Sequence, residues 1–348
     1  MKKIFCVTGA TGHLGNNIVK RLVSLGEKVR ALVMRGDDEF MLEGAEIRYG
    51  NILEKASLDS FFAHKKDEEL YVIHAAGKVS ILSEPDATVN EINVTGTKNT
   101  VDAARRAGVK SFVYVSSVHA AQCKKGLNTE KDLVFDPSLV KGAYATSKAL
   151  ATEYVLQAAS EGFNACVIFP SGIIGVGDYK NNHLMGLLRK FIHGKLPVAV
   201  KGEYDFVDVK DVAFAAISAA EKGRRGECYL VTGGTHDIKT LLNLTAEALR
   251  LKKLRIYLSI GFVRPIAALC ERRYRKKKQT PLFTSQSLEI LKSGQRFDSH
   301  KAQTELSFRP TEFEKTVREA ALWLAENDPP PVRRGSYGRR GKKICMTP

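Results

Sequence analysis

The sequence predicts an α/β protein, a doubly wound parallel sheet wrapped by helices, with a smaller mixed lobe in the C-terminal half. Three observations predict it. Short apolar runs alternate with helical stretches through the first half, the first run leads into a glycine-rich turn, and the alternation breaks up after Pro170-Ser171-Gly172. An unbroken apolar run is what a strand buried on both faces looks like, and strands alternating with helices give a parallel sheet.

The first strand is Ile4-Phe5-Cys6-Val7, and Thr8-Gly9-Ala10-Thr11-Gly12-His13-Leu14-Gly15 follows it. Gly9 permits a tight turn, Gly12 lets backbone approach a pyrophosphate, and Gly15 lets the next helix pack closely on the strand. That helix, running to Ser24, offers free N–H groups and a positive dipole end to the phosphate. This is the dinucleotide-binding (Rossmann) arrangement. The second strand, Lys28 to Met34, is followed by Arg35 and then Gly36-Asp37-Asp38. A guanidinium there suits a 2′-phosphate, so NADP(H) is favoured over NAD(H); the alternative is a solvated Arg35 with Asp37 or Asp38 taking the ribose.

Glu46 to Tyr49 is a third strand, with Asn51 and Ile52 just beyond it where an adenine would lie. Leu70 to His74 is a fourth, closed by Ala75, Ala76 and Gly77, whose small size leaves room for a ligand. A helix over Asn90–Ala107 carries Asn93, and the strand Ser111–Val115 ends in Ser116-Ser117. A helix over Ala143–Glu161 precedes a strand over Asn164–Phe169. Beyond it, helices are expected over His183–His193, Val209–Glu221, Ile238–Leu249 and Phe313–Asn327, with a strand over Glu227–Val231. The expected division is a dinucleotide-binding domain over 1–169, a substrate lobe interleaved with late strands over 170–328, and a disordered basic tail over 329–348.

Charge is local. Arg250–Gln279 holds eleven Lys/Arg against Glu271, the residues after Asp328 hold six with no acid, and together they account for the whole formal net charge of +16. The basicity therefore says nothing about the main fold, and no nucleic-acid partner is expected. Ile256 to Cys270, followed by a cationic run, is too short to span a bilayer core about 30 Å thick at about 1.5 Å per residue. Residues 256–278 read either as a weak membrane-surface contact or as a lobe helix with a solvated charged end. Six scattered cysteines without paired spacing read as reduced thiols, and the apolar run after Met1-Lys2-Lys3 is too short for a signal peptide, so a cytoplasmic protein is expected.

The chemistry sits on Tyr144 and Lys148, four apart and so on one helix face. An ammonium beside a tyrosine stabilises its phenolate and makes it a usable base near neutrality. Lys148 has donors left for the nicotinamide ribose, and Ser117, at the end of a neighbouring strand, can share charge developing on a substrate oxygen.

With these pieces the sequence resembles the extended short-chain dehydrogenase/reductases, the NAD-dependent epimerase/dehydratase superfamily. The likeness runs through Thr8 to Gly15, Asn93 to Thr97, Val113 to Ser117, Tyr144 to Lys148, Pro170 to Asp178 and Asp205 to Ala213. It covers nearly everything up to Asp328 and looks nearest to the dihydroflavonol-4-reductase-like and 3β-hydroxysteroid-dehydrogenase-like branch, which Pro281 to Thr284 and Phe308-Arg309-Pro310 also resemble. The resemblance implies a catalytic set of Ser117, Tyr144, Lys148 and Asn93. It places Thr11 and His13 at the pyrophosphate turn, and Ser116 on the cofactor side or in the structure. It also implies a cofactor surface that includes Leu14, Pro170, Ser171, Gly172 and Ile173. Val118-His119-Ala120-Ala121 departs from the sugar-nucleotide members, as does Phe169 where they commonly carry arginine. A small-molecule ketone, aldehyde or secondary alcohol is the expected substrate. A nucleotide-sugar epimerase or dehydratase and a non-catalytic NAD(P)-sensing protein are the alternatives, and a homodimer is compatible with the family.

Overall fold

A computed structural model describes residues 1–80, 86–265 and 284–329. Its centre is a parallel sheet of seven strands: β1 (Lys2–Thr8), β2 (Lys28–Val33), β3 (Glu46–Tyr49), β4 (Glu68–His74), β5 (Ser111–Val115), β6 (Ala165–Pro170) and β7 (Cys228–Val231). The spatial order is β7-β6-β5-β4-β1-β2-β3, so the direction of winding reverses between β1 and β4. A crevice opens at such a reversal, beyond the carboxyl ends of the strands, and it is where this fold class binds ligands.

Alternate residues of each strand enter different cores, which is why the strands read as unbroken apolar runs. Phe5 and Val7 pack with the helices His13–Ser24 and Val209–Lys222 on one face. Ile4 and Cys6 pack with Gly96–Ala107 and Ala143–Ser160 on the other. The second half adds three small sheets. Gly172–Ile174, Glu203–Asp208 and Thr235–Asp237 form one; Ala199–Val200 pairs with Tyr257–Leu258, and Gly126–Asn128 with Gln295–Phe297. A separate apolar core of Met185, Leu188, Leu241, Leu242, Val317 and Leu324 joins three lobe helices.

One expectation is refined and one corrected. The helix expected over Asn90–Ala107 is unbroken; it starts at Ala87 and carries a π-turn at Glu91–Thr95, which the sequence pattern does not indicate. The apolar stretch from Ile256 is not one helix. Tyr257–Leu258 is a strand, and helix begins only at Ile260 and runs to the edge of the described residues at Pro265. Most of the cationic run, Pro281 to Phe283 and residues 330–348 lie outside the described residues. Among the described residues no helix is long and apolar enough to cross a membrane.

Candidate active site

At the glycine-rich turn, Gly9 and Gly15 are required by geometry. Gly9 has φ +68°, and a Cβ on it would lie 2.6 Å from the Ala76 nitrogen. A Cβ on Gly15 would lie 2.0 Å from the Gly9 carbonyl oxygen, so the helix touches the turn backbone to backbone. Gly12 meets only the Gly9 oxygen, at 3.1 Å, and it starts the helix with no side-chain cap and no acid in the first turn. Uncapped helical N–H groups behind a surface without side chains fit a dinucleotide pyrophosphate. The ends of β1 and β4 are locked together by His74, whose Nδ1 lies 2.7 Å from Thr8 Oγ1 and whose Nε2 lies 3.0 Å from Thr97 Oγ1. Burial pushes this imidazole down to about 3, so it is neutral. Thr8 Oγ1 also accepts from the Ala76 N–H at 3.3 Å, which seats Ala75, Ala76 and Gly77 against Gly9.

Several expected cofactor residues have side chains committed elsewhere, and what they can offer a ligand is backbone. His13 Nε2 lies 3.0 Å from the Val176 carbonyl oxygen, pinning the turn to the loop beyond Ile174. Leu14 is in the core. Ile52 is buried, with its side chain filling the space where a Cβ on Gly96 would stand. Asn51 Oδ1 accepts from the Leu53 N–H at 3.0 Å. Arg35 is exposed past β2, its guanidinium 5.4 Å from the centre of the Tyr49 ring. Asp37 accepts at 2.7 Å from Thr11 Oγ1 and at 2.7 Å from Lys180 Nζ. Lys180 was not legible as a site residue, because it lies 143 positions from Asp37 and belongs to no motif.

The reacting end brings Ser117, Tyr144, Lys148 and Asn93 to one mouth between β4 and β5. The Tyr144 phenol is pushed up to about 12 by burial, and the Ser117 hydroxyl beside it opposes that shift. Ser117 also caps the short turn Val118–Ala120, accepting from the His119 N–H at 3.2 Å. Lys148 Nζ donates to the Val115 carbonyl at 2.7 Å and lies 4.7 Å from the Tyr114 ring centre. Burial lowers this ammonium to about 7. The expectation that Lys148 depresses Tyr144 does not describe this arrangement, because the amine faces Val115 and Tyr114 and is itself short of charge. A Cβ on Gly77 would lie 3.5 Å from Lys148 Nζ and 3.2 Å from Asn93 Oδ1, so the open face of Gly77 is bordered by both. Asn93, in the π-turn, accepts from the Lys78 N–H at 2.8 Å and donates to the Lys78 carbonyl at 3.0 Å and to Ser147 Oγ at 2.9 Å. It holds the chain after β4 against the helix Ala143–Ser160. Ser116 turns inward to Thr152, with 2.7 Å between the hydroxyl oxygens, which is its structural reading.

A small cleft, lined mostly by polar residues, lies next to Ser117 on the lobe side, with Val118, His119, Ser171, Tyr204, Asp205 and Gln295 among the lining residues. His119 Nε2 lies 2.7 Å from the Tyr204 hydroxyl, and burial lowers the imidazole to about 4. Asp205 is raised to about 6 by burial; its Oδ1 accepts from the Gly234 N–H at 3.3 Å, while its Oδ2 and the Ser171 hydroxyl are buried without a hydrogen-bond partner among the described residues. Gly172 faces the Tyr204 ring, since a Cβ there would lie 2.2 Å from Cε1. Ser171 lines the cleft after β6 and Gly172 borders it through Tyr204, whereas Ile173 packs against the core that holds Phe5 and Val7, and Pro170 closes the strand. Tyr204 and His119 stand 85 positions apart, and no spacing signal joins them.

Residues 5–232 match the model of the NAD dependent epimerase/dehydratase family. The chain belongs to that family. As a family member it is an NAD(P)-dependent oxidoreductase that acts on a small molecule. It is 34% identical to sterol demethylase protein B of Methylococcus capsulatus, over 92% of this chain and 98% of that one. It is 26% identical to 3beta-hydroxysteroid-dehydrogenase/decarboxylase isoform 1 of Arabidopsis thaliana, over 93% of this chain and 81% of that one. The crystal structure of gox2253 superposes with a TM-score of 0.81 at 28% identity, covering 94% of this chain and 99% of that chain.

Proposed function

We propose that this family member oxidises a bulky apolar secondary alcohol, a 3β-hydroxysterol, by a Ser117–Tyr144–Lys148 mechanism with NADP(H) as the favoured carrier. The observation that carries the mechanism is the placement of the Ser117 hydroxyl beside the Tyr144 phenol, with Lys148 Nζ and Asn93 Oδ1 bordering the open face of Gly77. Ser117 orients the substrate oxygen, and Tyr144 takes the hydroxyl proton as the carbinol hydrogen leaves as hydride; in the reverse direction Tyr144 donates that proton to the carbonyl oxygen. The bound nicotinamide supplies the hydride acceptor or donor. At neutral pH a phenol near 12 holds its proton and an amine near 7 is about half deprotonated, so Tyr144 takes the substrate proton only as its own passes on. Lys148 in its amine form can accept the proton that Tyr144 collects, so the oxidation should quicken as pH rises through about 7.

The substrate class rests on the relatives' names. Oxidising a carbinol next to a carbon that bears a carboxylate produces a β-keto acid, which loses CO2 with no further oxidant. A sterol with a 3β-hydroxyl and a 4-carboxyl group is therefore the substrate to test first. The carrier rests on Arg35 held over Tyr49 past β2. Asp37, also past β2, favours NAD(H) as the second reading, because a carboxylate there can accept from ribose hydroxyls.

The test incubates the protein with 3β-hydroxysterols, with and without a 4-carboxyl group, and with small ketones. It follows absorbance of the reduced nicotinamide and CO2 release. Tyr144→Phe should lower turnover by about 10³-fold or more while leaving dinucleotide affinity within about two-fold. Normal turnover by that variant overturns the mechanism. Turnover of small ketones with no conversion of any sterol overturns the substrate.

A further inference from the structure

We propose that Lys180, carried on the loop after Ile174, is the second cation of the 2′-phosphate site, and that Asp37 is its resting partner. This rests on the NADP(H) reading above. The adenosine ribose of a dinucleotide lies beyond the end of β2 and beside the pyrophosphate turn. Thr11, in that turn, and Asp37, past β2, flank this position, and Lys180 Nζ reaches both, at 2.9 Å and 2.7 Å. Its ammonium therefore spans the mouth of the ribose site. Arg35, held over Tyr49, comes from the β2 side.

The base of Lys180 is firmly held. The Val176 carbonyl accepts at 3.0 Å from Asn17 Nδ2 and lies 3.0 Å from His13 Nε2, and the Gly177 carbonyl accepts at 2.9 Å from Asn16 Nδ2. Asp178, buried, accepts twice from the Asn182 N–H at 2.9 Å. Tyr179 is caught edge-on between Phe40 and Trp323, at 5.0 Å and 5.2 Å between ring centres. Beyond this anchor the Lys180 side chain is 44% exposed, free enough to exchange partners.

Charge explains the pairing. Alone, the Asp37 carboxylate would repel a 2′-phosphate carrying about −1.5 to −2 at neutral pH. With Lys180 attached, Asp37 is neutralised before the phosphate arrives. The dianion then offers Lys180 a better partner than one carboxylate, and Arg35 adds a planar fork to the point charge of the ammonium. The same contacts weaken the NAD(H) alternative, because Lys180 and Thr11 both take Asp37 Oδ2 and leave one oxygen of the carboxylate for the ribose hydroxyls.

The test uses two probes without a nicotinamide, 2′,5′-ADP and 5′-AMP, and reads their affinities by calorimetry on the full chain. Lys180→Met should weaken 2′,5′-ADP by about ten-fold or more and leave 5′-AMP within about two-fold, and Lys180→Arg should restore most of the loss. Asp37→Asn should keep or tighten 2′,5′-ADP binding. Equal weakening of both probes by Lys180→Met, or an unchanged 2′,5′-ADP affinity, overturns the role of Lys180. Loss of 2′,5′-ADP binding in Asp37→Asn overturns the role of Asp37. A wild-type protein that binds 5′-AMP as tightly as 2′,5′-ADP overturns the NADP(H) reading itself, a result separate from either variant.

Discussion

The two ends of the crevice are built by different means. The glycine-rich turn is shaped by backbone: Gly9 and Gly15 leave no room for even one Cβ, and what the turn offers a ligand is uncapped backbone amide. The reacting end is shaped by buried polar side chains, Lys148, Tyr144, Ser117 and Asn93, whose ionisation depends on how they are enclosed. Backbone contact is rigid and intolerant of substitution. Side-chain chemistry is adjustable, and its settings are set by neighbours from distant parts of the chain.

The largest effect should come from breaking the rigid end. In Gly15→Ala the new methyl would stand 2.0 Å from the Gly9 carbonyl oxygen, and neither backbone segment can yield without moving β1 or its helix. We expect a stability loss of about 3 kcal/mol or more, read as a lower Tm, and loss of the fluorescence change on NADPH addition. Wild-type affinity in Gly15→Ala would mean that the turn adjusts as the side chains do, and the contrast between the two ends would fall.

The adjustable end should show its character in pH. Lys148 is held near 7 when folded and returns to its ordinary 10.5 when unfolded. Between those values the folded chain binds fewer protons, so the burial cost is complete below pH 7 and fades as pH rises toward 10.5. Lys148→Met should therefore be more stable than the wild type by about 2–4 kcal/mol at pH 6, with the difference shrinking toward pH 10. Denaturant melts of both proteins across that range check it. A constant difference would show that Lys148 does not lose its proton in the fold.

The same contrast governs what was legible in the sequence. Glycine spacing, apolar strands and the Tyr144–Lys148 interval are local patterns, and the turn, the seven-stranded sheet and the helix face all follow from them. Lys148 turning to the Val115 carbonyl, His119 meeting Tyr204, and Lys180 crossing to Asp37 depend on packing between distant segments. No periodicity reports such contacts. The π-turn that aims Asn93 at Lys78 is a change of one residue per turn and leaves the sequence pattern intact.

Ser116 and Ser117 put the contrast on two adjacent residues. Successive residues of an extended chain point to opposite sides. Ser116 points into the core at Thr152, while Ser117 meets the Tyr144 phenol. Ser116→Ala removes one buried hydrogen bond and leaves the Thr152 hydroxyl short of a partner, so it should cost about 1 kcal/mol of stability, the smallest shift expected, with turnover unchanged. Ser117→Ala should do the reverse, lowering turnover by about 10²-fold with little change in Tm. If Ser116→Ala also lowered turnover at unchanged dinucleotide affinity, the inner serine would belong to the chemistry. The boundary between scaffold and site would then lie one residue deeper along the end of β5.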